Sequence, residues 1–83
     1  MDDVEIATVR KNAREQFRVA IREFRGRRMI DLRVYADNGQ DLVPTPKGVA
    51  VKPESLGEII AALIEAQARA QALGMLGKTE DGR

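Results

Sequence analysis

The chain has 83 residues, of which 14 are basic and 13 acidic, so its formal net charge is only +1. A chain of this length forms one small domain whose core is marginal for a monomer. It contains no cysteine and no histidine, which excludes disulfides, thiolate nucleophiles, the usual transition-metal ligands and the common general base. We therefore predict a protein without catalytic residues, metal ions or cofactors.

The beginning of the chain, MDDVEIATVRKN, is acidic and lacks the charged-then-apolar pattern of a secretory signal. The longest apolar run, near EIIAALIEA, is far shorter than a membrane span. We therefore expect a cytoplasmic protein without a membrane partner, associated with the nucleoid if it is bacterial. Residues 1–13 are expected to form a flexible segment, residues 14–74 a single domain, and residues 75–83 a flexible tail.

Charge is segregated along the chain. Between Arg10 and Arg33, nine basic residues stand against three acidic ones, a net charge of +6. The remaining five basic and ten acidic residues give −5. Such asymmetry is typical of a surface that binds a polyanion, but it also fits a charged sheet edge that prevents aggregation. Charge alone leaves both interpretations open.

Two neighbouring segments alternate apolar and polar residues with the period of a β-strand. The apolar residues take odd positions in REQFRVAIREF and even positions in RMIDLRVYA. A two-residue loop at Gly26–Arg27 brings both apolar sets to one face of a hairpin. The opposite face then carries the cross-strand pairs Arg18–Tyr35, Ala20–Arg33, Arg22–Asp31 and Phe24–Met29.

Arginines interleaved with Phe24 and Tyr35 offer cations for phosphates and flat rings for bases. Structural roles are open to the same residues, since Asp31 can neutralise Arg22 and either ring can pack against the core. One ion pair still leaves several cations of this face and of the turn RGRR uncompensated. The candidate nucleic-acid-binding residues are Arg18, Arg22, Phe24, Arg25, Arg27, Arg28, Arg33 and Tyr35.

The rest of the chain continues this pattern. Asn38–Gly39 predicts a type I′ turn, and LVPT and VAVK predict two short strands separated by a bend at PKG. Pro53 suits the first turn of a helix, and Gly74 is the expected stop. We predict an α+β fold of the order ββββα: a four-stranded antiparallel sheet with one C-terminal helix against its apolar face.

One helix and a short sheet leave little core, and the predicted helix is apolar beyond a narrow stripe. We therefore predict a homodimer in which helix and sheet edge are buried against a second copy. A small monomer with exposed leucines and isoleucines is the alternative. The expected interface residues are Leu56, Ile59, Ile60 and Leu63.

Two motifs carry a resemblance to a known family. REFRGRRMIDLR, an acidic turn, and PTPKGVAVKPESL leading into a helix follow each other in order and at matching spacing. From about Lys11 to the end of the helix, the chain resembles the positive cofactor four family of transcriptional coactivators. The lack of a long serine-rich region is similar to compact bacterial and phage members.

The resemblance implies a curved four-stranded sheet with a C-terminal helix, a homodimer, and binding of single-stranded or melted DNA without catalysis or cofactor. Two positions depart from the pattern: Ala36 replaces a large aromatic residue of some members, and Pro46 replaces a basic one. The positions that match basic or stacking residues of the family are Arg22, Phe24, Arg25, Arg27, Arg33 and Lys47.

The sequence predicts a largely sequence-independent single-stranded DNA-binding protein that acts in transcription or DNA maintenance. Single-stranded RNA suits the same phosphate and base contacts. A second possibility is an interaction module whose basic face binds an acidic partner of the transcription machinery. A third is an enzyme that holds a divalent ion with Asp31, Asp37 and Asp41, which the predicted pairing of Asp31 with Arg22 disfavours.

Overall fold

The structure of the chain is a computed structural model that describes residues 3–76. All strands belong to one antiparallel sheet in the order β1-β2-β3-β4, so each strand pairs with its neighbour in sequence. A single helix follows the sheet. The predicted ββββα fold is confirmed. The elements are β1 (Val4–Arg10), β2 (Glu15–Phe24), β3 (Arg27–Asp37), β4 (Leu42–Val51) and α1 (Pro53–Ala72).

The first strand lies where the sequence predicted a flexible segment, and that expectation was wrong for residues 4–10. These residues pair with the edge of β2 along their whole length. The register shifts between Glu5 and Ala7, which interrupts the two-residue alternation of side chains. Without a regular alternation, the segment lacks the signal that identifies a strand in the sequence.

The last strand is continuous, where two short strands separated by a bend were expected. Tyr35 pairs with Pro44 and Arg33 pairs with Gly48, so residues 45–47 bulge opposite a single residue of β3. Pro46 lies within the bulge and Pro44 borders it; neither proline can donate a ladder hydrogen bond. Beyond the bulge β4 lies so close to β3 that a Cβ on Gly48 would stand 2.5 Å from the carbonyl oxygen of Leu32.

The hairpin between β2 and β3 has its loop at Arg25–Gly26, one residue earlier than predicted. Both loop residues have positive φ, 53° at Arg25 and 81° at Gly26, as a type I′ turn requires. The register is therefore shifted by two residues, and Arg22 lies opposite Met29 instead of Asp31. An even shift keeps every side chain on its predicted face.

The connection between β3 and β4 is a four-residue loop, and the predicted two-residue turn at Asn38–Gly39 was wrong. Gly39 has a φ of 100°, but Asn38 does not share the positive φ that a type I′ turn needs. Instead, the side-chain oxygen of Asn38 accepts hydrogen bonds from the backbone N–H groups of Gln40 and Asp41, both at 2.9 Å. The side chain thus organises the loop.

Both predicted ends of the helix are confirmed. Pro53 occupies the first turn, where its missing N–H leaves no hydrogen bond unmade. Gly74 follows the last turn with a φ of 77°. Its N–H donates to the carbonyl of Gln71 at 3.0 Å, and the N–H of Met75 donates to that of Ala70 at 2.8 Å. This is the Schellman motif. Most of the predicted tail lies outside the described residues.

The helix does not cover the apolar face of the sheet, contrary to the prediction. It contacts mainly β3, and none of its residues is buried. The buried hydrophobic residues of the described chain are only Ala20, Val34 and Tyr35. The radius of gyration is 15.0 Å, whereas a compact chain of this length has about 12 Å. One copy therefore leaves most of its apolar surface exposed.

Candidate nucleic-acid interface

One face of the sheet is polar because β2 and β3 place their charged residues on the same side. Arg18 lies directly opposite Arg33, and Ala20 lies opposite Asp31. The small side chain of Ala20 leaves room above it, so that longer neighbours reach across the strand. We call this surface the polar face. It holds Gln16, Arg18, Arg22 and Phe24 of β2 and Arg27, Asp31, Arg33 and Tyr35 of β3.

Asp31 is the centre of the polar face and is only 1 % exposed. Arg33 donates from Nη2 to Asp31 Oδ1 at 3.0 Å and from Nε to Oδ2 at 3.2 Å. Arg22 adds a third hydrogen bond from Nε to Oδ2 at 3.3 Å. A buried carboxylate with this many charged donors is well compensated. The predicted contact between Arg22 and Asp31 is thus present, but it runs diagonally across the strands.

Arg22 uses its remaining donors within the chain as well. Nη1 lies 3.0 Å from Asp3 Oδ2 and Nη2 lies 3.0 Å from Glu5 Oε2, which brings two acids of the N-terminal edge onto this guanidinium. Sequence reasoning missed these acids because it placed them in a flexible segment. Burial opposes the charge of Arg22, but the acids outweigh it and raise the pKa. The hydrogen bond to Asp31 likewise raises the pKa of Arg33.

Tyr35 is buried beneath the arginines, with 9 % of its surface exposed. Its hydroxyl accepts a hydrogen bond from Arg22 Nη2 at 3.0 Å. The guanidinium carbon of Arg18 lies 4.1 Å from the centre of its ring, a cation–π contact. The ring predicted to stack on bases is therefore covered by protein.

The end of the β2–β3 hairpin differs from this centre. It extends beyond the last paired residues of β1 and β4, which lie opposite Ile21 and Ile30. Phe24 is 39 % exposed there, next to the exposed Arg25 of the turn. Across the strand from Phe24, Arg27 lies 3.8 Å from Glu54 at the start of the helix.

Two further predicted cations lie away from the polar face. Arg28 is exposed opposite Glu23, on the other side of the hairpin. Lys47 is exposed in the bulge of β4, where its backbone N–H donates to the hydroxyl of Thr45 at 3.2 Å. The predicted site residues thus lie in three places. They are the centre of the polar face, where arginines are bound by acids of the same chain (the locked centre), the exposed hairpin end, and these two positions.

The opposite end of the polar face holds a cleft of about 360 Å³ that the sequence analysis did not single out. It lies where the β1–β2 and β3–β4 connections meet. Its wall includes the exposed Arg10 and Arg14, together with Glu15, Gln16 and Asp37. Both arginines belong to the +6 segment, but only the folded chain shows that they line one cleft.

The expected interface residues of the helix lie in the open. Leu56 is partly buried, and Ile59, Ile60 and Leu63 are exposed, Leu63 to 62 %. The face of the sheet opposite the polar face also exposes apolar residues, among them Leu32 and Val49. We call these apolar residues of the helix and of this face of the sheet the apolar side.

The carboxylates do not form the metal site considered above. Asp31 is bound to two arginines, whereas Asp37 and Asp41 lie at the β3–β4 loop. Among residues 3–76, no group of three or more His, Cys, Asp or Glu side chains could hold a metal ion. Nor is the helix of this part of the chain long and apolar enough to cross a membrane.

The fold is an open four-stranded antiparallel sheet with an arginine-rich face and one C-terminal helix, and comparison with known proteins identifies its family. The family model described as Transcriptional Coactivator p15 (PC4) matches residues 11–62. The chain therefore belongs to the PC4 family of DNA-binding transcription coactivators, and the predicted resemblance is confirmed.

Solved structures agree with this assignment. A PC4 homolog from Burkholderia pseudomallei is 37% identical in one crystal form, covers 80% of this chain and 98% of its own, and has a TM-score of 0.72. A second crystal form gives 39% identity, coverage of 76% and 86%, and a TM-score of 0.69.

The bacteriophage T5 homolog of the eukaryotic coactivator PC4, implicated in recombination-dependent DNA replication, shares the fold. It is 23% identical, covers 92% of this chain and 89% of its own, and has a TM-score of 0.66. Among curated proteins, no match to the chain was found.

Proposed function

We propose that this protein is a non-catalytic homodimer that binds single-stranded or melted DNA with little sequence preference, in transcription or DNA maintenance. The observation that carries the proposal is the exposed end of the β2–β3 hairpin. There, Arg25 has no acidic partner among the described residues, and Phe24 exposes a ring beside it. A free cation next to a flat apolar surface suits a strand that offers phosphates and unpaired bases.

The division of the polar face supports separate roles for its arginines. Arg22 and Arg33 are held by carboxylates, so they form a rigid and partly neutralised floor. Arg25 at one end and Arg10 and Arg14 at the other have no carboxylate within ion-pair distance in residues 3–76. A nucleic-acid strand lying along β2 would run from the unpaired arginines at one end of the polar face to the unpaired arginine at the other. The distance is about 30 Å, at 3.3 Å per residue of β2.

The homodimer is supported by the apolar side. Soluble monomers rarely expose large contiguous apolar patches, and such patches mark interaction sites. Here both the helix and the uncovered face of the sheet expose large apolar side chains. A second copy would bury both at once, and a two-fold axis would place two hairpin ends in one assembly.

A titration with labelled oligonucleotides tests the proposal. Bases stacked within a duplex cannot reach Phe24, so single strands and bubbles should bind more tightly than a matched duplex at moderate salt. Phe24→Ala should weaken single-strand binding by about 1–3 kcal/mol and leave the salt dependence unchanged, since no charge is removed. Equal affinity for duplex and single strand would contradict the proposal.

The same titration separates the alternatives. Single-stranded RNA bound more tightly than DNA of equal length would make RNA the ligand. An acidic peptide that binds with no competition from oligonucleotides would favour the interaction module, whose partner is a segment of the transcription machinery.

A further inference from the structure

Tyr35 itself cannot serve as a stacking surface for a base. One side of its ring is covered by the guanidinium of Arg18 at 4.1 Å, and its hydroxyl is bound to Arg22. With 9 % of the residue exposed, an incoming base has no access to the ring. The flat group that lies over the ring at this position is the guanidinium of the half-buried Arg18.

The guanidinium of Arg18 is held in a defined orientation. Its carbon Cζ lies over the ring of Tyr35, 4.1 Å from the ring centre, and its Nε donates to Gln16 Oε1 at 2.8 Å. Within the described residues, no carboxylate lies within ion-pair distance of it. The neighbouring Arg22 and Arg33, by contrast, form ion pairs, Arg22 with Asp31 and the N-terminal acids and Arg33 with Asp31. Arg18 alone combines a fixed plane with an uncompensated charge at the centre of the polar face.

We propose that the outer face of the Arg18 guanidinium is a stacking position for a nucleobase, with Tyr35 as its support. The inference deepens the proposed function and rests on it, since it names the chemical group that this position binds. A guanidinium plane stacks on unpaired bases much as an aromatic ring does. Tyr35 and Gln16 fix the plane before the ligand arrives, which lowers the entropy lost on binding.

A phosphate contact is the competing role for Arg18, and Arg18→Lys separates the two. Lysine keeps the positive charge but offers a compact ammonium group without a plane. The matched control is Arg14→Lys, which makes the same change at an exposed arginine beside the far cleft. Tyr35→Phe is a second control, because it keeps the supporting ring and removes only the hydroxyl.

The probes are an oligothymidine of about ten nucleotides and a strand of equal length built from abasic residues, which has the phosphates without the bases. Arg18→Lys should weaken oligothymidine binding roughly 5- to 150-fold, the factor that corresponds to the 1–3 kcal/mol of one stacked base. Its binding to the abasic strand should stay within about twofold of the unchanged protein. Arg14→Lys and Tyr35→Phe should preserve the discrimination between the two strands.

A second measurement needs no variant. In the unchanged protein, the Nε–H resonance of Arg18 should move upfield when oligothymidine binds, because a base above the guanidinium adds its ring current. The abasic strand should cause no such shift. Melting curves confirm that each variant is folded at the assay temperature.

The outcomes are distinct. If Arg18→Lys weakens both strands equally, or neither, and the resonance does not move, Arg18 is not a stacking position, although the proposed function stands. If the unchanged protein binds the intact and abasic strands equally well and prefers duplex, the proposed function itself fails.

Discussion

The polar face and the apolar side differ in whether their side chains find partners within one chain. On the polar face, a buried acid, two arginines and a tyrosine satisfy one another within a single chain. On the apolar side, the sheet and helix expose the residues that a core would bury. One chain therefore satisfies the charged groups of its polar face but leaves exposed the apolar residues that a core would bury. We infer that stability comes from assembly, whereas the geometry of the polar face is local.

The largest effect should follow from a charge on the apolar side. Ile60→Glu places a carboxylate in the proposed interface. Burying a charge there without a partner would cost more free energy than the association could offset. We expect the variant to lose both dimerisation and cooperative folding. Sedimentation equilibrium and circular dichroism at low micromolar concentration measure the two losses.

Ala62→Glu is the matched control, because it lies about 200° around the helix from residue 60 and should leave the dimer intact. A stable, folded monomer of the unchanged protein would refute this view of the apolar side, and with it any binding surface shared by two copies.

The second largest effect should come from the centre of the polar face. Asp31→Asn keeps the shape of the side chain but leaves two guanidinium groups without their shared charge. We expect a loss of about 3 kcal/mol in the free energy of unfolding, at the low end for broken buried pairs because both arginines keep some contact with solvent. Urea denaturation measures it.

Asp41→Asn in the exposed β3–β4 loop is the control and should change stability by less than about 0.5 kcal/mol. If the two variants are equally stable, the acid at the centre does not organise the polar face.

These two regions also explain how far the sequence could be interpreted. Alternation of apolar and polar residues correctly assigned faces, because a side chain changes face only when the register moves by an odd number. The loop position was wrong by one residue, since the pattern does not reveal that Arg25 adopts a positive φ. The contact of Arg22 with Asp31 survived this error because a long side chain also reaches its diagonal neighbour.

Other features had no local signal. Because the bulge at Glu5–Ala7 interrupts the alternation of side chains, the sequence did not predict β1. It therefore did not predict that acids of this strand and its start contact Arg22. The apolar stripe of the helix predicted packing against the apolar face of the sheet, but no residue of the helix is buried in the structure, and the stripe alone does not say which surface the helix contacts. The predicted hairpin did place Arg18 opposite Tyr35, and the two residues remain diagonal neighbours in the observed register, but only the structure shows the guanidinium lying over the ring at 4.1 Å.

A smaller effect should separate the locked centre from the free hairpin end. Arg25→Gln removes a cation without an acidic partner in the described chain, so the slope of log affinity against log salt should fall by roughly 0.7 for a single strand. Arg22→Gln removes a cation that its own acids already compensate, so it should change the slope less and lower the melting temperature more. Fluorescence anisotropy at several salt concentrations compares them. Identical slopes for both variants would abolish the distinction between centre and end.

The smallest effect should come from the β1–β2 connection, at the border of the polar face. Hydrogen bonds from Lys11 and Asn12, both 2.8 Å from Glu15 Oε1, lower the pKa of Glu15. A carboxylate with a lowered pKa stabilises the folded chain above the pKa it has when unfolded, and this contribution disappears as the pH falls through the folded value. Glu15→Gln should therefore reduce stability slightly at neutral pH and not at all in acid. Lys11→Ala should shrink that difference, because it removes the first of the two donors. Equal stability of Glu15→Gln and the unchanged protein at every pH would show that this exposed contact contributes nothing to the fold.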